Sequence, residues 1–226
     1  MKPYYEHAGI TIYHGDCREI LQGLPPADTV ITDPVWPNSS PALVGAERPF
    51  LLMAEMCDVL ARPKRLIVHL GCDSDPRFLM AVPEHYKFLR KCWLRYACPT
   101  RKGRCLYGAD VAYVFGEWPR SIPGRRVISG EYISTRSDAR RVIVTKHKEW
   151  GKPCPGEHPT PRRLQHLRWL VSKWAEGTVL DPFCGSGTTL LGAQLNNLPA
   201  IGIEIEEKYC EIAAKRLSQE VLAFGA

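Results

Sequence analysis

The stretch Val179–Leu190 reads VLDPFCGSGTTL: an apolar, β-branched run, then Asp-Pro, then a glycine-bearing turn, then residues that open a helix. A strand passing through a tight turn straight into a helix belongs to a sheet covered by helices, and so limits the folds open to the chain. The rest of the sequence agrees. Ile10–Asp16, Thr29–Pro34, Arg65–Gly71, Lys87–Ala97, Ala109–Phe115, Gly177–Pro182 and Ala200–Ile205 read as strands. Cys17–Leu24, Pro49–Ala61, Arg163–Ala175, Thr188–Asn196 and Glu206–Leu222 show helical spacing, and a short helix is expected after Asp73-Ser74. In Pro49–Ala61, Phe50, Met53, Ala54, Cys57 and Leu60 fall at helical spacing on one apolar face. Strands alternating with helices predict a doubly wound α/β sheet, in which ligands bind beyond the carboxyl ends of the strands. Both Asp-Pro pairs, Asp33-Pro34 and Asp181-Pro182, fall at such ends.

With 226 residues, the chain suits one domain spanning 1–226. Periodicity fades over about 116–157, where Arg, Ser, Gly and Pro take over, and this is the expected insertion. The net charge of +6 is unevenly placed, since Arg120, Arg125, Arg126, Arg136, Arg140, Arg141, Lys146 and Lys148 crowd into that segment. Such a cluster fits phosphate contacts with a nucleic acid, and a solvated loop face is the alternative. No apolar run approaches membrane-spanning length and the amino terminus lacks a signal-peptide core, so cytoplasmic residence is expected. The nine cysteines include no C-x-x-C pair and read as reduced, mostly buried thiols, with no metal site expected.

In Asp181–Gly187, DPFCGSG, Gly185 and Gly187 allow backbone shapes and close approach that side chains block, and the following helix start favours an anion. The turn is neither G-x-G-x-x-G nor a P-loop, which disfavours ATP hydrolysis. Glu204 ends the next strand, where an acid accepts hydrogen bonds from the two ribose hydroxyls of an adenosine; an ordinary strand-end charge is the alternative.

VLDPFCGSGTTLLGA followed by AIGIEIEEKYCEIAAKRL resembles the cofactor half of the amino-group DNA methyltransferases, which modify adenine N6 or cytosine N4 using S-adenosylmethionine. IYHGDCREIL and ADTVITDPVWP resemble their catalytic half, whose signature is (D/N/S)-P-P-(Y/F/W), and EHPTPRRL is similar to the family's HPT-E-K-P-L element. The resemblance covers both ends of the chain, Ile10–Trp36 and Glu157–Leu217, in the circularly permuted order of the β group. It implies a Rossmann-like methyltransferase fold and assigns Asp33 and the Pro34 carbonyl as acceptors for the target amine, with Trp36 stacking on a flipped-out base. It also implies that Asp16 and the Cys17 backbone hold the cofactor's adenine, Phe183 and Asp181 its methionine part, and Glu204 its ribose. Thr160, before Pro161, resembles a helix N-cap whose backbone holds the cofactor carboxylate. The basic insertion takes the place of the family's DNA-recognition segment.

Val35 stands where the family has its second proline, which leaves the loop an extra N–H and more freedom. Pro37 restricts Trp36 to extended geometry, so the constraint has a second source. The expected activity is methylation of DNA, duplex with base flipping or single-stranded, in a restriction-modification or phage setting, with adenine N6 favoured by Asp33. Cytosine N4, an RNA or small-molecule substrate, and a non-catalytic DNA-binding relative are the alternatives. A homodimer is left open by the resemblance.

Overall fold

The computed structural model describes residues 1–71, 73–102, 104–120, 130–134 and 162–218. The strands are β1 (Tyr5–His7), β2 (Ile10–His14), β3 (Thr29–Thr32), β4 (Arg65–Gly71), β5 (Phe88–Lys102), β6 (Cys105–Gly116), β7 (Glu131–Ile133), β8 (Val179–Asp181) and β9 (Ala200–Glu204). The α-helices are α1 (Cys17–Ile20), α2 (Pro49–Val59), α3 (Leu164–Trp174), α4 (Thr188–Gln194) and α5 (Glu207–Leu217), with 3-10 turns at Leu21–Gly23 and Pro76–Ala81.

All nine strands form one sheet in the order β1-β2-β9-β8-β3-β4-β6-β5-β7. The centre, β2-β9-β8-β3-β4, is parallel throughout. β1 and the β5–β6 hairpin are antiparallel additions, and β7 runs parallel to β5 at the far edge. The inner strands β3, β4 and β8 are buried along their whole length because helices cover both faces. Alternation then sorts their side chains into two cores. Ile31, Ile67 and Val179 join Leu167, Leu170, Trp174, Leu190 and Ala213 on one face. Val30, Leu66, Val68 and Leu180 join Ile20, Met53, Met56 and Phe78 on the other. This is the α/β Rossmann-like architecture the sequence predicted.

Several local details differ. The two strands expected at 87–97 and 109–115 are the arms of a longer hairpin, and β7 lies inside the segment that lacks periodicity. Arg163 is the N-cap of α3 and is extended (φ −69°, ψ 126°), so the helix starts at Leu164. Thr160 lies outside the described residues. In α2 the buried face is Met53, Met56 and Cys57, while Phe50 is 44% exposed and meets Phe78 edge-on. Cys17, Cys57, Cys92, Cys184 and Cys210 are buried free thiols and Cys105 is exposed. Among the described residues, no helix is long and apolar enough to cross a membrane.

Candidate active site

β8 pairs with β9 on one side and β3 on the other, and the chain leaves these neighbours in different directions. That divergence opens a crevice beyond their carboxyl ends. The cleft there is lined by Asp16, Cys17, Asp33, Pro34, Trp36, Phe183 and Glu204, together with the segment 43–48. The two Asp-Pro turns, far apart in the chain, thus meet at one site because β3 and β8 are adjacent.

Glu204 is 8% exposed at the end of β9. Its Oε2 accepts from the Gly185 N–H and its Oε1 from the Glu206 N–H, both at 2.8 Å. Burial raises its pKa above the usual carboxylate value, against the pull of those N–H groups. Each oxygen keeps a second lone pair, so the carboxylate can still accept two hydroxyls from a ribose. Asp16 caps α1 by accepting from the Arg18 N–H at 2.9 Å, and the Arg18 guanidinium joins it to Glu55. Hydrogen bonds from Arg18 hold the Asp16 carboxyl below its ordinary value. Burial pushes the Cys17 thiol up to about 12, so this residue offers the cleft a backbone and a neutral side chain.

Gly185 (φ 50°) and Gly187 (φ 77°) take left-handed backbone, but neither lines the cleft. A Cβ on Gly187 would lie 2.9 Å from Ala213 Cβ, so its smallness serves the packing of α5 against the turn. Asp181, also absent from the cleft wall, is 2% exposed and accepts from the Phe183 N–H at 3.1 Å. Burial, helped by the charges of Asp33 and Glu204, raises its pKa to about 7. A cation brought close to it would favour the ionised form. The cleft therefore holds an acceptor pair at one end and an aromatic beside it, with the buried Asp181 behind its Pro182–Phe183 wall.

At the catalytic end, the Trp36 Nε1–H donates to Asp33 Oδ1 at 3.1 Å. Trp36 N–H donates to Ser39 Oγ at 2.8 Å, and Ser39 N–H donates to the Trp36 carbonyl at 2.9 Å. This reciprocal pair pins the loop just past Val35, a restraint the sequence reading placed at Pro37 alone. The Gly71 backbone lies against the outer edge of the indole, since a Cβ there would lie 2.8 Å from the Trp36 ring atoms Cη2 and Cζ3. The site also contains Arg162, which stands at the lysine position of the EHPTPRRL element and to which the motif comparison gave no role. Arg162 grips both Asp33 oxygens at 2.7 Å and lies over the Trp36 ring, 4.5 Å from its centroid. It contacts Asp110 of β6 as well, at 3.3 Å. Its place before α3 is local, but its reach to Asp33 appears only in the folded chain.

The basic cluster divides. Arg125, Arg126, Arg136, Arg140, Arg141, Lys146 and Lys148 lie outside the described residues. Arg120 is exposed, and its N–H bonds Glu176 Oε1 at 2.7 Å. Glu176 pairs with Arg65 at the start of β4, so Arg120 sits at the end of the sheet opposite the cleft and is not brought to the site. The hairpin behaves otherwise. β4 ends at the Gly71–Asp110 pair, yet β5 and β6 continue pairing out to Lys102–Cys105. The hairpin tip therefore projects past the carboxyl edge on the cleft side, carrying exposed Arg101 and Arg104. The signal in the sequence was the basic turn RKGRC, Arg101–Cys105, between two strand-like runs.

Residues 84–215 match the DNA methylase family (N6_N4_Mtase), more than half of the chain, and the Asp33 motif precedes that span. The Type II methyltransferase M.ScaI of Streptomyces caespitosus is 50% identical, over 97% of this chain and 84% of its own. Among solved structures, an M1.HpyAVI–SAM complex aligns over 93% of this chain and all of its own, with TM-score 0.65 and 22% identity. The cytosine-N4-specific PvuII DNA methyltransferase aligns over 98% of this chain and 90% of its own, with TM-score 0.69 and 16% identity, a likeness of fold. Motif order, cleft chemistry and these matches agree, and the chain belongs to the amino-group DNA methyltransferases.

Proposed function

We propose that this protein transfers a methyl group from S-adenosylmethionine to the exocyclic N6 amine of an adenine flipped out of duplex DNA. The observation that carries the reading is Asp33 and Trp36, hydrogen-bonded to each other, on the same cleft as Glu204. The cofactor supplies an already activated methyl group on a sulfonium. The chain's own work is to bind, orient and polarise.

Glu204 and Asp16 hold the adenosine end, and Phe183 packs beside the methionine part. The Asp33 carboxylate and the Pro34 carbonyl accept the two N–H groups of the target amine. Acceptors set out of the base plane draw the nitrogen towards tetrahedral geometry, freeing a lone pair otherwise delocalised into the ring. They also stabilise positive charge that grows on the nitrogen during transfer, and so bind the transition state better than the ground state. Trp36 offers a ring face on which the extruded base stacks, offsetting part of the few kcal/mol needed to unstack it. Arg101 and Arg104 on the hairpin tip supply phosphate contacts, with salt-dependent affinity. Asp33, in place of serine, is the feature that favours adenine.

The test is nucleoside mass spectrometry of unmethylated DNA incubated with protein and S-adenosylmethionine, with Asp33→Ala as control. N6-methyladenine formed only by the unaltered protein is the expected result. N4-methylcytosine would move the target to cytosine while keeping the mechanism. No modified base despite proven cofactor binding would count against catalysis on DNA.

A further inference from the structure

Arg162 makes three contacts at the catalytic end. Nε donates to Asp33 Oδ2 and Nη2 to Asp33 Oδ1, each at 2.7 Å, while Nη1 lies 3.3 Å from Asp110 Oδ1. Its guanidinium also covers one face of Trp36. The anchor is firm: Asp110 is fully buried, and its Oδ2 accepts from the Tyr96 hydroxyl at 2.5 Å. The Tyr107 hydroxyl donates to Asp110 Oδ1 at 3.3 Å, and His69 Nε2 lies 3.5 Å from Oδ2. Burial works against the charge of Arg162, but Asp33 and Asp110 more than offset it and raise its pKa.

Counting acceptor sites gives the consequence. A carboxylate offers about four lone-pair directions, two on each oxygen. At Asp33, Arg162 fills one on each oxygen and the Trp36 indole N–H fills the other on Oδ1. One remains, on Oδ2. A planar fork on both oxygens also fixes the rotation of the carboxylate, which a lone aspartate in a loop would not hold. With one face of the Trp36 ring under the guanidinium, the ring has its opposite face for stacking.

We propose that Arg162 is a positioning residue for methyl transfer: it locks the Asp33 carboxylate so that a single lone pair on Oδ2 meets the target amine, and it backs Trp36 so that the base stacks on the far face. This role rests on the amino-methyltransferase reading above. A competing role, in which Arg162 merely occludes Asp33, predicts the opposite kinetics.

The test uses Arg162→Lys and Arg162→Gln in the full chain. Lysine keeps a cation between Asp33 and Asp110 but cannot form the fork, so it guards against a variant that fails to fold. The single-turnover rate should fall on the order of 10²-fold in Arg162→Lys and further in Arg162→Gln, the scale expected for a misplaced reacting group. Affinities for S-adenosylmethionine and DNA should stay within about twofold, the split that marks loss of a transition-state interaction. A second readout needs no activity. The Trp36 indole N–H resonance, assigned with Trp36→Phe, should move in Arg162→Lys, and Asp33→Asn should move it too. An unchanged or faster rate, a defect confined to DNA or cofactor affinity, or an unmoved indole resonance would each overturn the proposal. An unaltered protein that binds cofactor and methylates nothing would instead remove the functional reading, and the resonance would still decide the role of Arg162.

Discussion

Replacing Asp181 by asparagine should make the cofactor-free protein more stable at pH 8 while weakening its hold on the cofactor. The carboxyl is 2% exposed, and burial, assisted by Asp33 and Glu204, brings its pKa to about 7 against the opposing hydrogen bonds of Thr189 and Phe183. In the unfolded chain an aspartate titrates near ~3.9, so the folded state holds the proton more tightly. The associated stability is complete below about pH 4 and is lost as pH rises to about 7. At about 1.4 kcal/mol per pH unit over that interval, ionisation costs the folded protein about 4 kcal/mol at pH 8. Asparagine never ionises and can still accept from Phe183 N–H, but it gives up the charge-assisted part of that bond, about 1 kcal/mol. The net gain is about 3 kcal/mol, or roughly 5–10 °C in Tm for a chain of this size. Calorimetric Tm values for both proteins from pH 5 to 9 provide the assay. The variant's advantage should grow between pH 5 and 7 and stay level above. Parallel profiles, or a variant less stable at pH 8, would refute the reasoning. Saturating S-adenosylmethionine should shrink the advantage, because a cation beside Asp181 favours its charged form.

Three further perturbations separate the other functions of the site. Gly71→Ala adds a Cβ 2.4 Å from the Tyr107 hydroxyl and 2.8 Å from the Trp36 ring, on backbone that carries no left-handed strain, so single-turnover methylation should fall on the order of 10²-fold with cofactor affinity retained. Calorimetric titration alongside the rate checks this; a matching loss of cofactor affinity would place the damage elsewhere. Glu204→Gln sets an amide N–H against one of two backbone N–H groups, from Gly185 and Glu206, and should raise the cofactor Kd roughly 10–100-fold, the worth of a charged hydrogen bond. An unchanged Kd in the same titration would exclude a ribose-binding role. Arg65 is 1% exposed, bonded to the carbonyls of Glu117 and Trp174 and paired with Glu176; Arg65→Met should cost about 3 kcal/mol in a urea melt, with the cleft's Kd for cofactor unaltered in the folded fraction.

The sequence alone carried the architecture. Helices and strands on two-sided sheets have local periodicity, and the turn Asp181–Gly187, the loop Asp33–Trp36 and Glu204 are each legible within a few residues of a strand end. What it could not carry were the contacts that cross the chain. Arg162 meets Asp33 over 129 positions, because α3 and β3 are brought together only when the sheet is assembled. The same assembly gave several residues surroundings that no short stretch of sequence specifies. Asp181 became a buried acid beneath the cleft, Gly187 a packing position against Ala213, and Arg120 a residue of the far sheet edge. The hairpin tip with Arg101 and Arg104 moved to the cleft side through a register that no local pattern encodes. Local backbone preference and burial periodicity are properties of short windows, and so they survive in sequence. Charge pairing, protonation and the identity of a residue's neighbours depend on distances between distant segments, and those exist only in the folded protein.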